Sequence, residues 1–200
     1  MSAHAIPHMT PEEYLAADRA AEFKSEYFDG QVYAMSGGTL LHSLLAARLI
    51  TELNKALAGR RCSVFTSDAR VRATASTYVY PDISVVCAQP QVDGKHQDIL
   101  LNPTLVVEVL SGSTERHDRG LKFARYRQIA SLEEYVLVAQ SEPRVEIFLR
   151  QPDHHWLLSE YFGLESTIRF ESLGIDLRVS HLYQDVEFPA SADMAGSISE

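Results

Sequence analysis

The chain has 200 residues, 46% hydrophobic, 22% charged and 9% aromatic, with a formal net charge of −9. That balance suits a chain able to bury a core, and it excludes a coiled coil, a collagen-like repeat or a wholly disordered polymer. No run approaches the ~18 apolar residues of a membrane span, and the opening Met-Ser-Ala-His-Ala-Ile-Pro-His lacks the charged-then-apolar pattern of a secretory signal. Cys62 and Cys87 form no C-x-x-C pair, so no disulfide framework is expected and the chain reads as cytoplasmic. The acidity is uneven: residues 1–60 hold 5 Lys and Arg against 7 Asp and Glu, residues 61–130 hold 9 against 7, and residues 131–200 hold 4 against 13. A mildly basic middle leaves room for a phosphate-binding face on an acidic protein.

In chain order, Thr10-Pro11-Glu12-Glu13 announces a helix to about Glu22, with an N-cap, a proline at the first helical position and a glutamate three residues after the cap. Two strands follow around Asp29-Gly30, a strong hairpin signal. Gly37-Gly38 leads to Thr39 as cap of the longest helix, whose Leu41, Leu44, Leu45, Leu49, Leu53 and Leu57 recur at helical spacing before Gly59. Strands are expected over Cys62–Thr66, Ala69–Ala73 and Tyr80–Cys87, then a polar loop over residues 88–103. Thr104–Leu110 is an apolar run of the kind buried on both faces of a sheet. A turn at Ser111–Thr114 opens a basic helix from about Arg116 to Ile129, and strands follow at Tyr135–Val138, Arg144–Arg150, Trp156–Tyr161 and Ile168–Leu177. The tail from Pro189 is small and polar and reads as disordered. With no internal repeat or linker, residues 1–188 read as one mixed α/β domain.

Glu108 is the most informative residue, because it interrupts a valine- and leucine-rich strand where an unpaired carboxylate would be costly without a partner or metal. An edge strand with Glu108 in water is the alternative. Asp82 follows Pro81 at a strand start, where aspartate is common for structural reasons alone. Together, on adjacent strands, two carboxylates suit a hard cation such as Mg²⁺, which wants few carboxylates, some water and phosphate oxygens. On the basic helix, Asp118, Lys122, Tyr126 and Ile129 share one face, and Arg116, Arg119, Arg125 and Arg127 flank it. Taken alone this is a solvated helix with an Asp118–Lys122 pair worth tenths of a kcal/mol. Taken with the acids it delivers a lysine to a metal–phosphate centre. No phosphate-binding P-loop or nucleophile elbow is present. Gly37-Gly38-Thr39 reads as a turn, His96 and His154-His155 as surface loops, and Tyr33, Trp156 and Tyr161 as core aromatics.

Pro81-Asp82, Val107-Glu108-Val109-Leu110-Ser111, Asp118-x-x-x-Lys122-x-x-x-Tyr126 and Glu134-Tyr135, in this order, resemble the bacterial "putative restriction endonuclease" family. That family was formerly a domain of unknown function and belongs to the PD-(D/E)XK nuclease superfamily. Glu26-x-x-Asp29-Gly30 and His42 match its pattern too, so the resemblance covers about residues 9–188. It implies a restriction-endonuclease-like α/β core, a mixed sheet flanked by helices with an N-terminal helix and hairpin. It also implies Asp82 and Glu108 as metal-binding acids with the Val109 carbonyl as a further ligand. Leu110 stands where the superfamily usually has its lysine; the similar family moves that lysine to the next helix, where Lys122 matches. Glu26 and His42 match further positions lining the site. Ala139-Gln140 stands where an aspartate is common, which marks a divergent branch.

The expectation is a Mg²⁺-dependent endonuclease, with Mn²⁺ as the alternative ion, acting on DNA through Asp82, Glu108, Lys122, Glu26 and His42. A homodimer would match the two strands of a duplex, and no membrane partner is expected. Two other readings stay open: a non-catalytic nucleic-acid or protein-binding module that keeps the fold, and a hydrolase of small phosphate esters.

Overall fold

The computed structural model describes residues 8–188 apart from 36, 95 and 113, so the expected disordered tail lies outside the described residues. Helix α1 (Pro11–Ala20) forms as its signals demand, with Thr10 Oγ1 accepting from Glu13 N at 3.2 Å and Glu13 Oε2 accepting from Thr10 N at 2.8 Å. Strands β1 (Ser25–Phe28) and β2 (Gln31–Ala34) make the expected hairpin. Its turn residues Asp29 and Gly30 have φ of 48° and 95°, the doubly left-handed turn that matches strand twist. Helix α2 (Leu40–Ala56) is capped by Thr39 and buries Leu45, Leu49 and Leu53, one face at steps of four.

The strand expected over Tyr80–Cys87 is shorter, Ile83–Val86, and a further strand not expected from the sequence, Thr77–Val79, precedes Pro81. β5 (Thr77–Val79) pairs with β1 and with β4 (Arg70–Thr74), whereas β6 (Ile83–Val86) pairs with β3 (Ser63–Thr66). Pro81, which has no N–H to give a ladder, lies in the break, and the chain changes sheet there. The loop expected over residues 88–103 contributes a short strand, β7 (Ile99–Leu100), parallel to β4. The resulting five-stranded sheet has the order β2-β1-β5-β4-β7.

The second sheet centres on β8 (Leu105–Val109), every residue of which is buried. From it the chain passes through a helical segment and returns as β9 (Glu134–Val138), parallel to β8. The expected helix over residues 116–129 is composite: α3 (Glu115–His117), a π-helical turn over Asp118–Lys122, and α4 (Phe123–Tyr126). β10 (Arg144–Arg150) and β11 (Trp156–Phe162) complete a six-stranded sheet in the order β11-β10-β9-β8-β6-β3. The run expected as one strand at Ile168–Leu177 is a hairpin, β12 (Thr167–Phe170) and β13 (Ile175–Arg178), followed by α5 (Val179–Leu182).

Alternation along β8 sorts its residues between two cores. Leu105, Val107 and Val109 join Leu45, Leu49 and Leu53 of α2. Val106 and Leu110, of the opposite parity, join Tyr126 and Ile129 after the π-turn and Val71 and Val79 of the other sheet. Glu108 shares the parity of Val106 and Leu110, and therefore faces the seam between the two sheets.

Two sequence expectations are corrected here. Cys62 and Cys87 are disulfide-bonded, with Cα atoms 4.0 Å apart. Ser63 pairs with Val86, so the cysteines stand opposite each other one step further along; strand register joins them where sequence spacing gave no sign. Tyr33, expected in the core, is 41% exposed because β2 is an edge strand. Trp156 and Tyr161 do pack against the cores, and His154 and His155 are exposed. No helix among the described residues is long and apolar enough to cross a membrane.

Candidate active site

Five side chains from four elements meet at the seam. Lys122 Nζ stands 2.9 Å from Glu26 Oε1, 3.1 Å from Glu108 Oε1 and 3.5 Å from Asp118 Oδ1. Tyr126 Oη donates to the same Glu108 oxygen at 2.7 Å. Glu26 Oε1 accepts from Tyr80 N at 3.0 Å, which ties β1 to the residue beside Pro81. The π-turn sets the lysine's position. The Asp118 carbonyl accepts from Phe123 N, five residues on, and from Tyr135 Oη at 3.0 Å, so a hydroxyl from β9 props the widened turn.

Burial governs the charges. It pushes the Glu108 carboxyl well above the ordinary carboxylate range; Lys122 opposes that push, and Asp118, Asp82 and Glu26 add to it. Burial also works against the Lys122 ammonium, but Glu108, Glu26 and Asp118 hold its pKa above the usual lysine value. Tyr126 is raised far up by burial and then by Glu108, so it serves as a neutral donor.

Asp82 and His42 form a more open rim, 14% and 20% exposed against 8% or less for Lys122, Glu108, Glu26 and Asp118. Asp82 Oδ2 accepts from Val109 N at 2.7 Å and lies 3.1 Å from His42 Nε2. The Asp82 side chain thus meets β8 at the residue next to Glu108. The hydrogen bond to Asp82 raises the His42 pKa, against a smaller lowering by burial. Gly38 is required for this approach, because a Cβ there would meet His42 Nδ1 at 2.8 Å. Thr39 Oγ1 donates to Gln140 Oε1 at 2.7 Å and Gln140 Nε2 donates to the Leu110 carbonyl at 2.7 Å. Gln140, at the divergent position, therefore fastens the start of α2 to the end of β8.

All five sequence candidates, Asp82, Glu108, Lys122, Glu26 and His42, are in this arrangement. Val109 meets it through its N–H. Asp118 and Tyr126, singled out by their spacing but not as site residues, belong to it directly; the i, i+4, i+8 pattern was the available signal. Lys122 is not on a solvated face but buried. Two of the four flanking arginines are engaged: Arg119 with Glu115 and Glu146, Arg125 with Asp29. Arg116 and Arg127 are exposed.

No group of three or more His, Cys, Asp or Glu among the described residues stands in metal-holding geometry. The acids gather instead about one ammonium. Their donor chemistry nonetheless suits a hard divalent ion: all oxygen, no thiolate, and four carboxylates gathered about Lys122 and His42.

A family model described as "Putative restriction endonuclease" (Uma2) matches residues 11–180. Two proteins of Synechocystis sp. are similar along most of their length. The uncharacterized protein slr1290 is 36% identical over 92% of this chain and 95% of its own. The uncharacterized protein sll1609 is 34% identical over 84% and 95%. A crystal structure from Anabaena variabilis ATCC 29413, described as a "putative nuclease belonging to DUF820", superposes with a TM-score of 0.72 at 18% identity, over 88% of this chain and 97% of that one. The fold is thus that of a nuclease-like mixed α/β protein, and the chain belongs to the Uma2 restriction-endonuclease-like family.

Proposed function

We propose that this protein is a divalent-metal-dependent endonuclease that hydrolyses phosphodiester bonds of DNA, with residues 1–188 as its working unit. The observation that carries the reading is the meeting of the buried Glu108–Lys122 pair with Glu26 beside the more open Asp82–His42 rim. A structural ion pair has no need of a second, more accessible acid and histidine next to it.

Asp82 and Glu108 would hold Mg²⁺ or Mn²⁺, with the Val109 carbonyl beside them. The bound ion would supply an acidified water and offset charge on the scissile phosphate. Lys122 stabilises charge developing on that phosphate, in a water-poor setting where one such group counts most. Glu26 and Asp118 orient the ammonium and keep it protonated. His42, held by Asp82 with its charged form favoured, donates a proton toward a phosphate oxygen or orients solvent at the rim. Exposed Arg116 is available to the nucleic-acid backbone.

A second reading is favoured by one observation: Lys122 already matches Glu108 inside the chain, as it would in a non-catalytic nucleic-acid-binding module. Purified protein incubated with plasmid and single-stranded DNA under Mg²⁺ or Mn²⁺ separates the two. Cleavage that is abolished by EDTA and by Asp82→Ala is the expected result. Salt-sensitive DNA binding without cleavage under either ion would establish the binding module instead.

A further inference from the structure

Sharing no residue with the acidic cluster, a hollow of about 360 Å³ lies between the end of α4 and the β10–β11 turn, lined by Ala124, Arg127, Gln128, Arg150, His154 and Trp156. Its lining holds two guanidinium groups and an imidazole and no carboxylate, in a chain of net charge −9. Many of the other arginines are matched by acids: Arg19 and Arg70 by Asp98, Arg72 by Asp93, Arg119 and Arg144 by Glu146, Arg125 by Asp29. Among the described residues, neither Arg127 nor Arg150 has a carboxylate within 4.0 Å. Asp153, in the same turn, pairs with His155 at 2.9 Å, and both line a neighbouring hollow that also borders Trp156.

Both guanidinium groups are held without being neutralised. Arg150 Nη2 donates to the carbonyls of Arg127 and Ile129, each at 2.8 Å, and its guanidinium lies 4.8 Å over the Trp156 ring. The Arg127 guanidinium lies 5.0 Å over Phe123, whose ring meets Trp156 edge-on at 5.3 Å. Stacking fixes a planar fork and leaves donors for an incoming anion, and such forks match phosphate oxygens. His154 reaches the lining from a left-handed backbone, φ 67°. The volume exceeds what a bare phosphate fills and leaves space for an attached sugar, with the Gln128 amide at hand for a hydroxyl.

We propose that this hollow is a binding site for a phosphate group carried on a sugar, either in a free nucleotide or in a nucleic-acid strand. Trp156 is the only tryptophan of the chain, so its emission reports this end of the molecule, and the Arg127 variants tie the signal to this hollow rather than to its neighbour. The full-length protein in EDTA, where cleavage cannot intervene, is titrated with thymidine 5′-monophosphate and with an eight-nucleotide thymidine strand. Saturable change is expected with at least one. Saturation by the mononucleotide assigns the site to free nucleotides, and saturation by the strand alone assigns it to the nucleic-acid backbone. Arg127→Ala, an exposed position, should weaken the response about 10- to 100-fold, as loss of charge-assisted bonds does, and Arg127→Lys should restore part of it. Arg150→Ala is the poorer variant because Arg150 also caps helix carbonyls. The proposal is overturned if neither probe saturates, if sodium chloride at matched ionic strength gives the same change, or if a folded Arg127→Ala binds like the parent.

Discussion

Lys122 is the residue on which the site's charge balance turns. Removing its ammonium would strand Glu108 and Glu26, both almost wholly buried. Breaking a buried pair by deleting one partner costs about 3–5 kcal/mol, so Lys122→Met should lose stability in urea unfolding by about that amount. Adding Glu108→Gln removes the stranded charge, and the double variant should recover much of the loss; additive losses would show that the two side chains are not energetically coupled. In the cleavage assay Lys122→Met should fall by about 10²- to 10³-fold, whereas Lys55→Met, whose exposed ammonium pairs with Glu52, should cleave like the parent. Glu108 was legible in the sequence because a carboxylate amid valines and leucines demands a partner. The burial of Asp118 and Lys122 was not, because steps of four serve a solvated helix and a buried one equally well. The partners of Arg119 and Arg125 were equally illegible: Glu146 and Asp29 lie 27 and 96 residues away.

At the scale of elements, the π-turn decides where Lys122 and Asp118 point. Tyr135 Oη is buried against the Asp118 carbonyl that this turn leaves in need of a second donor. Tyr135→Phe should cost about 1 kcal/mol in stability and slow cleavage while preserving the fold. Stability equal to the parent's would mean that the hydroxyl contributes nothing to the turn. Most elements were readable: the capped α1, the Asp-Gly hairpin, the leucine face of α2 and the doubly buried β8. Boundaries between sheets were not. Tyr78-Val79-Tyr80 and Ile83-Ser84-Val85-Val86 both read as strand, and only Pro81-Asp82 between them marks the change of sheet. The turn between β12 and β13 escaped notice because its glycine, Gly174 with φ 59°, sits between Leu173 and Ile175 in a stretch that alternates like one strand. β7 is two residues long, too short for any periodicity.

Across the whole molecule, α1 and the five-stranded sheet are joined by an ionic network that is buried at Arg70 and Asp18 and partly exposed at Asp98 and Arg19. Arg70 pairs with Asp18, 1% exposed at its side chain, and with Asp98, which also meets Arg19 at 2.9 Å. Arg19 holds the Asp98 carboxyl down to about 2, more than burial raises it. Burial also works to raise Asp18, yet bonds from Tyr80, Ser25 and Arg70 leave it lowered. Depressed carboxylates stabilise above their unfolded pKa of about 4 and lose that contribution as pH falls through their folded values. Stability should therefore drop between pH 4 and 2, and the drop should shrink in Arg70→Met while Arg19 still holds Asp98 down; the substitution itself should cost about 3–5 kcal/mol at neutral pH. An unchanged acid limb in that variant would assign the drop to other carboxylates. The disulfide acts at the same scale. Cys62 and Cys87 are 25 residues apart, and opening a loop of that length by reduction should lower the urea midpoint by the equivalent of about 3 kcal/mol. An identical midpoint with and without dithiothreitol would show that the link adds no stability.

The seam at Pro81 also bears on how the site comes apart. Glu108 and Lys122 lie 14 residues apart within one strand–helix–strand unit, while Glu26 reaches the same ammonium from a hairpin of the other sheet. That hairpin joins its sheet through a two-residue ladder, Tyr27 opposite Tyr78 and Phe28 opposite Thr77, with Asp29 N donating to the Ser76 carbonyl at 2.8 Å and Tyr80 N to Glu26 at 3.0 Å. Breathing of the hairpin would thus withdraw Glu26 and open one side of Lys122 while Glu108 stays clasped. Native-state hydrogen exchange would register this as amides of β1 and β2 opening at lower free energy than those of β8 and β9. The lysine would then have two settings, caged by three carboxylates or open on one side, and passage between them would need no loss of the central sheet.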